Sequence, residues 1–495
     1  MDQRGFYQPN GAWIGDVIPW QEDGVFHLFY LHETRRSPKE GMPWRRVVTE
    51  NLVDFVEAGE AISSGGPTAD DFNVYTGSIV LAADGTHHAF YTGQNPAKLG
   101  DDGLALQVVM HATSVDGMTS WQRHPSDTFG ATAGYETADW RDPFVFWDDE
   151  AQLWRMLITA RHVDGSARRR GVIAQCTSHD LSTWEPAPPF WNPRRYVAHE
   201  CPEAFQWGEW WYLVYSEFSE SFTTRYRMSR SLYGPWITPE HDTIDGRAFY
   251  AAKSAERDGR RLFFGWIASR EGASDDGAWQ WAGTMSVLEA EQREDGTLAF
   301  HPADELRETF TRPAEAITSG TALAAPDGYR DLLTEDDAPS SFQLRARLDI
   351  TEGTTEAGVL LRASADGDEG YVFRLEPKRG RLVFDRWPRR STGSEQWQIS
   401  GDVPFAVELE RPCRLEPGEH EIEVIIDGDL CVATVDNGTV LSTRLYDRPS
   451  GRVGVFVGEG AVTVTEFSVI ARDEPEPEPE ASALDDADDL VAATT

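Results

Sequence analysis

The sequence predicts an all-β molecule, a five-bladed β-propeller followed by a C-terminal β-sandwich. Three observations carry that prediction. A turn leading into an aromatic-rich strand recurs five times before Pro302. A second marker, a polar turn running into an aromatic residue, keeps step with it. Beyond residue 340 the texture changes to alternating strands joined by Asp-Gly and Asn-Gly turns. A chain of 495 residues is too long for one ordinary domain. The expected division is a propeller over 1–302, a connector over 303–340, a sandwich over 341–472 and a disordered acidic tail over 473–495.

The first marker reads Asp23-Gly24-Val25-Phe26-His27-Leu28-Phe29-Tyr30, then Asp84-Gly85 running to Phe90-Tyr91, then Ala151-Gln152-Leu153-Trp154. It returns at Gly208-Glu209-Trp210-Trp211-Tyr212 and at Asp258-Gly259-Arg260-Arg261-Leu262-Phe263-Phe264. Successive copies lie roughly 50 to 66 residues apart, the size of one four-stranded blade. The second marker is Asn51-Leu52-Val53-Asp54-Phe55, Asp116 to Trp121, Asp180 to Trp184 and, degraded, Ser229 to Trp236. A large sandwich with many hairpins would not readily interleave two markers at one period, so the propeller is the preferred reading.

Residues 303–340 mix a short helical pattern at Ala303-Asp304-Glu305-Leu306-Arg307 with Gly, Pro and Thr, as a connector would. Phe342, Leu344, Ala346, Leu348 and Ile350 then alternate with polar residues, the period of a half-buried strand. Asp366-Gly367, Asp427-Gly428 and Asn437-Gly438 are hairpin dipeptides for the strands that follow. The Asp-Glu-Pro-Glu-Pro-Glu run from Asp473 is solvated and carries no chemistry.

Lys plus Arg is 45 and Asp plus Glu 83, a formal charge of −38, which argues against nucleic acid or anionic membrane partners. A neutral carbohydrate fits this balance, and 18 Trp offer both core and sugar-stacking surfaces. Cys176, Cys201, Cys413 and Cys431 form no CxxC pair and read as free thiols. The start Met1-Asp2-Gln3-Arg4-Gly5 lacks an apolar signal core, and a cytoplasmic address is expected. Oligomeric state is not legible. The histidines give no metal-ligand spacing, so neither metal nor cofactor is expected.

Three short stretches place a carboxylate beside a rigid or aromatic neighbour: Trp13-Ile14-Gly15-Asp16, Trp140-Arg141-Asp142-Pro143 and His199-Glu200-Cys201-Pro202. Glycoside cleavage with retention needs one carboxylate to attack the anomeric carbon and a second carboxyl to protonate the leaving oxygen. A third acidic group would grip the sugar hydroxyls. Arg141 beside Asp142 favours its ionised form, and burial near two other acids would raise the pKa of Glu200. Glu203 is the competing acid and reads as a supporting carboxylate.

In these stretches the chain resembles glycoside hydrolase family 32, the invertase, inulinase and levanase group. Pro9, Trp13 and Asp16, followed by His27-Leu28-Phe29-Tyr30, keep the spacing of that family's opening motif. Arg141-Asp142-Pro143 matches its Arg-Asp-Pro, and Glu200-Cys201-Pro202 its Glu-Cys-Pro. Tyr75-Thr76-Gly77-Ser78 resembles Phe-Ser-Gly-Ser, and Phe90-Tyr91-Thr92-Gly93 matches Phe-Tyr-Thr-Gly. The resemblance spans roughly residues 5–472 and implies the propeller-plus-sandwich architecture. It implies Asp16 as nucleophile, Glu200 as general acid/base and Asp142 as transition-state stabiliser. Trp13, Thr76, Gly77, Ser78, Arg141, Trp140 and His32 become candidate substrate-binding residues.

Two departures stand out. Family members usually carry Asn before the nucleophile and Pro-Asn-Gly after it, where this chain has Gly15 and Val17-Ile18-Pro19. The Gln after the hairpin Tyr is replaced by Leu31-His32. Both lost polar groups would normally contact sugar, so the pocket has been re-cut. The expected activity is hydrolysis of β-fructofuranosidic bonds in sucrose, fructo-oligosaccharides or fructans. A glycosidase on another furanoside such as an arabinofuranoside, a fructosyltransferase, and a silent carbohydrate-binding propeller are the alternatives.

Overall fold

In the computed structural model, residues 5–389 and 407–472 are described. The predicted acidic tail, 473–495, lies outside them. Each copy of the first marker is the hairpin between the first two strands of a blade. The pairs are Trp13–Glu22 with Val25–Glu33 (blade I), Asn73–Leu81 with His87–Leu99 (II) and Tyr135–Asp148 with Leu153–His162 (III). Glu200–Trp207 with Trp210–Glu217 (IV) and Phe249–Arg257 with Arg260–Arg270 (V) complete the set. Gly24 and Gly85, at φ 82° and 85°, supply the left-handed turns that L side chains resist.

The second marker connects the third and fourth strands, and the structure gives it a purpose. The side chains of Asn51, Asp116 and Asp180 accept hydrogen bonds from backbone N–H groups two to four residues on, closing Asx turns. Each turn throws its aromatic residue into the gap between its own blade and the preceding one. Phe55 packs in the cluster between V and I, Trp121 between I and II, Trp184 between II and III, and Trp236 between III and IV. Burying one such ring stabilises the packing by roughly 1.5–3 kcal/mol.

The ring closes by strand exchange. Leu298–Pro302 pairs with one part of Trp279–Gln292, and Phe6–Tyr7 continues along the same edge at Ser286 and Met285. Ile14 opposite Gly283 carries blade I onto blade V.

In the sandwich, Arg452–Arg472 serves both layers. Its first part pairs with Glu356–Ala363 and its second with Ser341–Ile350, with Glu459 at φ 46° between them. Leu344, Leu348, Val359, Leu361, Phe373, Val424, Val455 and Val469 fill the space between the layers. The expected connector over 303–340 is mostly sheet. Phe310–Ala316 and Thr321–Leu333 both pair with Arg452–Arg472. Most of their side chains are exposed, and only Phe310, Leu323 and Ala325 are buried, too few to leave a period-two signal. The four cysteines are buried and free. Among the described residues no helix is long and apolar enough to cross a membrane.

Candidate active site

The innermost strands of the five blades all break register at one level. The shifts lie between Ile14 and Val17, Tyr75 and Gly77, Arg141 and Phe144, Glu200 and Glu203, and Tyr250 and Lys253. A bulge inserts an unpaired residue and re-aims its side chain. Here the skipped residues include Asp16, Thr76, Asp142 and Cys201. Asp142, Cys201 and Ala251 have φ of 57°, 50° and 54°, a strained conformation for residues with a Cβ. Pro143 and Pro202 have no N–H to lose from the ladder, which suits them to these positions.

The bulges gather three carboxyl groups. Asp16 Oδ2 accepts a hydrogen bond from the Thr76 hydroxyl, and Oδ1 accepts one from Trp266 Nε1 at 3.2 Å. Asp142 Oδ2 accepts from Thr159 Oγ1 and from Cys201 N, each at 3.0 Å. The Cys201 thiol reaches Asp16 Oδ2 at 3.7 Å, so one residue touches both aspartates. Glu200 takes Arg141 Nη2 on Oε1 at 2.9 Å and the Tyr250 hydroxyl on Oε2 at 2.7 Å. Arg141 also lies 3.7 Å from Asp142 through Nε, tying acid and clamp together.

Burial sets the protonation chemistry. It pushes the Asp16 carboxyl above its ordinary value, and the Asp142 charge adds to that; Thr76, Trp266 and Lys253 pull the other way. Burial also raises Glu200, against the pull of Arg141. The Cys201 thiol is raised well above its ordinary value by burial and then by Asp16, so it is no nucleophile near neutral pH. The chamber therefore holds two carboxyls raised by burial, Asp16 and Glu200, and a third, Asp142, that is doubly hydrogen-bonded.

Asp16, Asp142, Glu200, Arg141 and Thr76 lie together in the chamber. Trp13 lies at the rim with the Arg35 guanidinium 3.9 Å over its ring. The four other candidates present no side chain to the chamber. Trp140 is 1% exposed and packs between blades II and III with Val80, Phe90 and Met156, because it alternates with Arg141. Ser78 is buried and its Oγ accepts from Val145 N at 2.9 Å, a link between blades. Gly77 has no room for a side chain, since a Cβ would collide with Phe90 O; its own carbonyl receives Lys253. His32 lies beside Tyr30, ring centroids 6.1 Å apart, and burial with Arg45 nearby lowers its pKa. Its charged neighbours are Arg45, Glu57 and Glu33 rather than the three chamber carboxyls.

The sequence reading missed Tyr250, Lys253, Trp266 and Trp281. A lone Lys in the apolar run Phe249-Tyr250-Ala251-Ala252 was a usable signal; the two indoles had none. Trp281 accounts for one departure in the opening motif, the glycine at 15. A Cβ there would stand 2.5 Å from the Trp281 ring and 2.9 Å from Leu31 Cβ. Glycine makes room for an indole that is 39% exposed and 6.2 Å edge-on from Trp266, while Leu31 is buried in the packing between blades I and II.

Residues 6–302 match the glycosyl hydrolases family 32 N-terminal domain. The chain is 22% identical over 488 residues to the levanbiose-producing levanase of Bacillus subtilis (strain 168), covering 90% of this chain and 87% of that one. It is 24% identical over 474 residues to the sucrose-6-phosphate hydrolase of Escherichia coli, covering 90% and 89%. The exo-inulinase from Aspergillus awamori shares the fold, with a TM-score of 0.75 at 18% identity over 95% of this chain and 98% of that one.

Proposed function

The chain belongs to glycosyl hydrolase family 32, and from that premise we propose that it hydrolyses β-fructofuranosidic bonds with retention of configuration. Sucrose, fructo-oligosaccharides and fructans are the substrate class. The supporting observation is the placement of Asp16 and Glu200 at one bulged level, joined through Asp142 by Cys201 and Arg141.

Asp16 attacks the anomeric carbon while Glu200 passes its proton to the departing oxygen, leaving a fructosyl ester on Asp16. Glu200, now ionised, takes a proton from water as the water attacks that ester, which returns both groups to their starting states. Asp142, held by Thr159 and the Cys201 N–H, is placed to hold sugar hydroxyls as positive charge grows on the ring. A sugar in place of water would give transfer instead.

The test is sugar release from sucrose, inulin, levan, fructo-oligosaccharides and arabinofuranosides, with Asp16→Asn as the blank. Fructose release that disappears in the blank supports the proposal. The Trp281 indole beside Gly15 favours a second reading, another furanoside, and release of arabinose would select it. Anomer-resolved NMR of the first product distinguishes retention from inversion.

A further inference from the structure

Each charged group in the chamber except one has an evident partner from the opposite side of the charge scale. Arg141 serves Glu200, Asp142 and Asp139 from blade III. Arg261 stands 4.0 Å from Glu203. Asp16 has hydrogen bonds from Thr76 and Trp266 but no arginine beside it among the described residues. The cation whose charge favours its ionised form is Lys253, linked to it through Gly77 and Thr76 rather than by an ion pair.

Lys253 is only 2% exposed, at the end of the bulge in the innermost strand of blade V. Its ammonium donates to Gly77 O of blade II at 2.6 Å. Blades V and II are not neighbours in the ring, so this side chain crosses the channel behind blade I. It lands on the residue next to Thr76, whose hydroxyl holds Asp16. Burying an ammonium costs several kcal/mol unless nearby anions and acceptors offset it. A carbonyl alone is a poor return for that cost if the role were bracing only, since a neutral donor would brace equally well.

We propose that Lys253 is a positioning residue for the nucleophile: its ammonium keeps the Asp16 carboxyl charged and, through Gly77 and Thr76, aimed into the chamber. This rests on the hydrolase reading for its consequence in catalysis, though not for its effect on Asp16. The charged and titratable groups around Asp16 are Tyr75 on blade II, Asp142 on III, Cys201 and Glu200 on IV, and Tyr250 and Lys253 on V. Arg141, on Asp142 and Glu200, is the other cation of the chamber; Lys253 is the one that opposes the burial and the Asp142 charge that favour the protonated form of Asp16.

Three variants separate charge from bracing. Lys253→Met removes both, Lys253→Gln keeps a donor for Gly77 O but not the charge, and Lys253→Arg keeps the charge. The first readout is the pH profile of kcat/KM on the fructoside that the wild type cleaves best. The acid limb, set by Asp16, should move up by about one pH unit in Lys253→Met and Lys253→Gln, a loss of about tenfold below the limb. Lys253→Arg should leave it in place, and the basic limb, set by Glu200, should stay put in all three.

The second readout needs no substrate. The carboxyl 13C signal of Asp16, identified by its absence in Asp16→Asn, should titrate about one unit higher in Lys253→Gln than in the wild type. An acid limb and a carboxyl titration unchanged in Lys253→Gln would overturn the proposal and leave Lys253 a brace. A wild type without activity on fructosides would defeat the hydrolase reading alone, because the NMR titration still decides the role of Lys253. If Lys253→Met does not fold, the Gln and Arg variants carry both readouts.

Discussion

Glu200 and Glu203 are three positions apart, half-buried and buried, and both raised by burial, yet their surroundings differ. Glu200 ends in the chamber between Arg141 and Tyr250. Glu203 is consumed by Ser254, whose N–H and hydroxyl reach it at 2.8 and 2.5 Å, with Arg261 behind. Glu200→Gln and Asp16→Asn should therefore each lower kcat by about 10² to 10⁴ or more. Glu203→Gln should keep most of kcat and cost about 1–3 kcal/mol in urea denaturation, the toll of weakening a buried network. Equal kcat losses at 200 and 203 would contradict the assignment. The raised carboxyls also make a stability prediction. A carboxyl raised in the fold holds its proton more tightly there than in the unfolded chain. Its contribution is full below the unfolded value and is lost as pH rises through the folded one. Asp16 is thus a liability to stability at neutral pH, and Asp16→Asn should melt higher than wild type at pH 7, with the gain fading toward pH 4. A variant that melts lower at pH 7 would mean that the charged carboxylate is net stabilising.

Elements explain why some of this was legible and some was not. Hairpin turns and Asx turns are local, so Asp23-Gly24 or Asp180 to Trp184 announces itself within eight residues. Bulges are properties of pairing between strands and show in one strand only where a residue such as Pro or Gly interrupts it. Alternation read without the bulge cannot say on which side a residue emerges, and so Trp140 and Ser78 were placed in the pocket while they line the gap between blades. The acidic residues escaped that error because each is coupled to a Pro, Gly or Cys that marks the irregularity itself. The second marker carries its own test. Trp184→Ala empties the cluster between blades II and III and should cost about 3–5 kcal/mol. Asp180→Ala removes two hydrogen bonds to the backbone at an exposed turn and should cost about 1 kcal/mol. Thermal or urea unfolding of the two variants gives both numbers, and a Trp184→Ala loss no larger than that of Asp180→Ala would deny the ring its role between blades.

At the scale of the whole chain, two β units were readable from the change in texture after Pro302, but their mutual dependence was not. Ile425, Leu430, Val432 and Val440 of the sandwich share one buried cluster with Phe249, Phe263 and Phe300 of the propeller. Polar groups cross as well. The buried Asp245 carboxyl accepts from Ser442 N at 2.9 Å and Oγ at 2.6 Å, and Arg444 donates to Ile267 O, Ala268 O and Thr284 Oγ1. None of these residues alternates or repeats differently from ordinary core or surface positions, because an interface between units obeys the same burial rules as the units themselves. Removing the sandwich would take the two Ser442 donors from Asp245 and open an apolar face on blades IV and V, the blades that carry Glu200, Tyr250 and Lys253. Relative domain motion is the default for small polar interfaces, whereas an apolar interface with buried ionic groups favours coupled unfolding. Calorimetry of the intact chain should accordingly show one transition, and Val432→Asp should lower it while reducing fructoside hydrolysis in the same proportion as the folded fraction. Two resolved transitions, with the propeller melting unmoved by Val432→Asp, would show that the blades hold their chamber unaided and that the sandwich is carried rather than required.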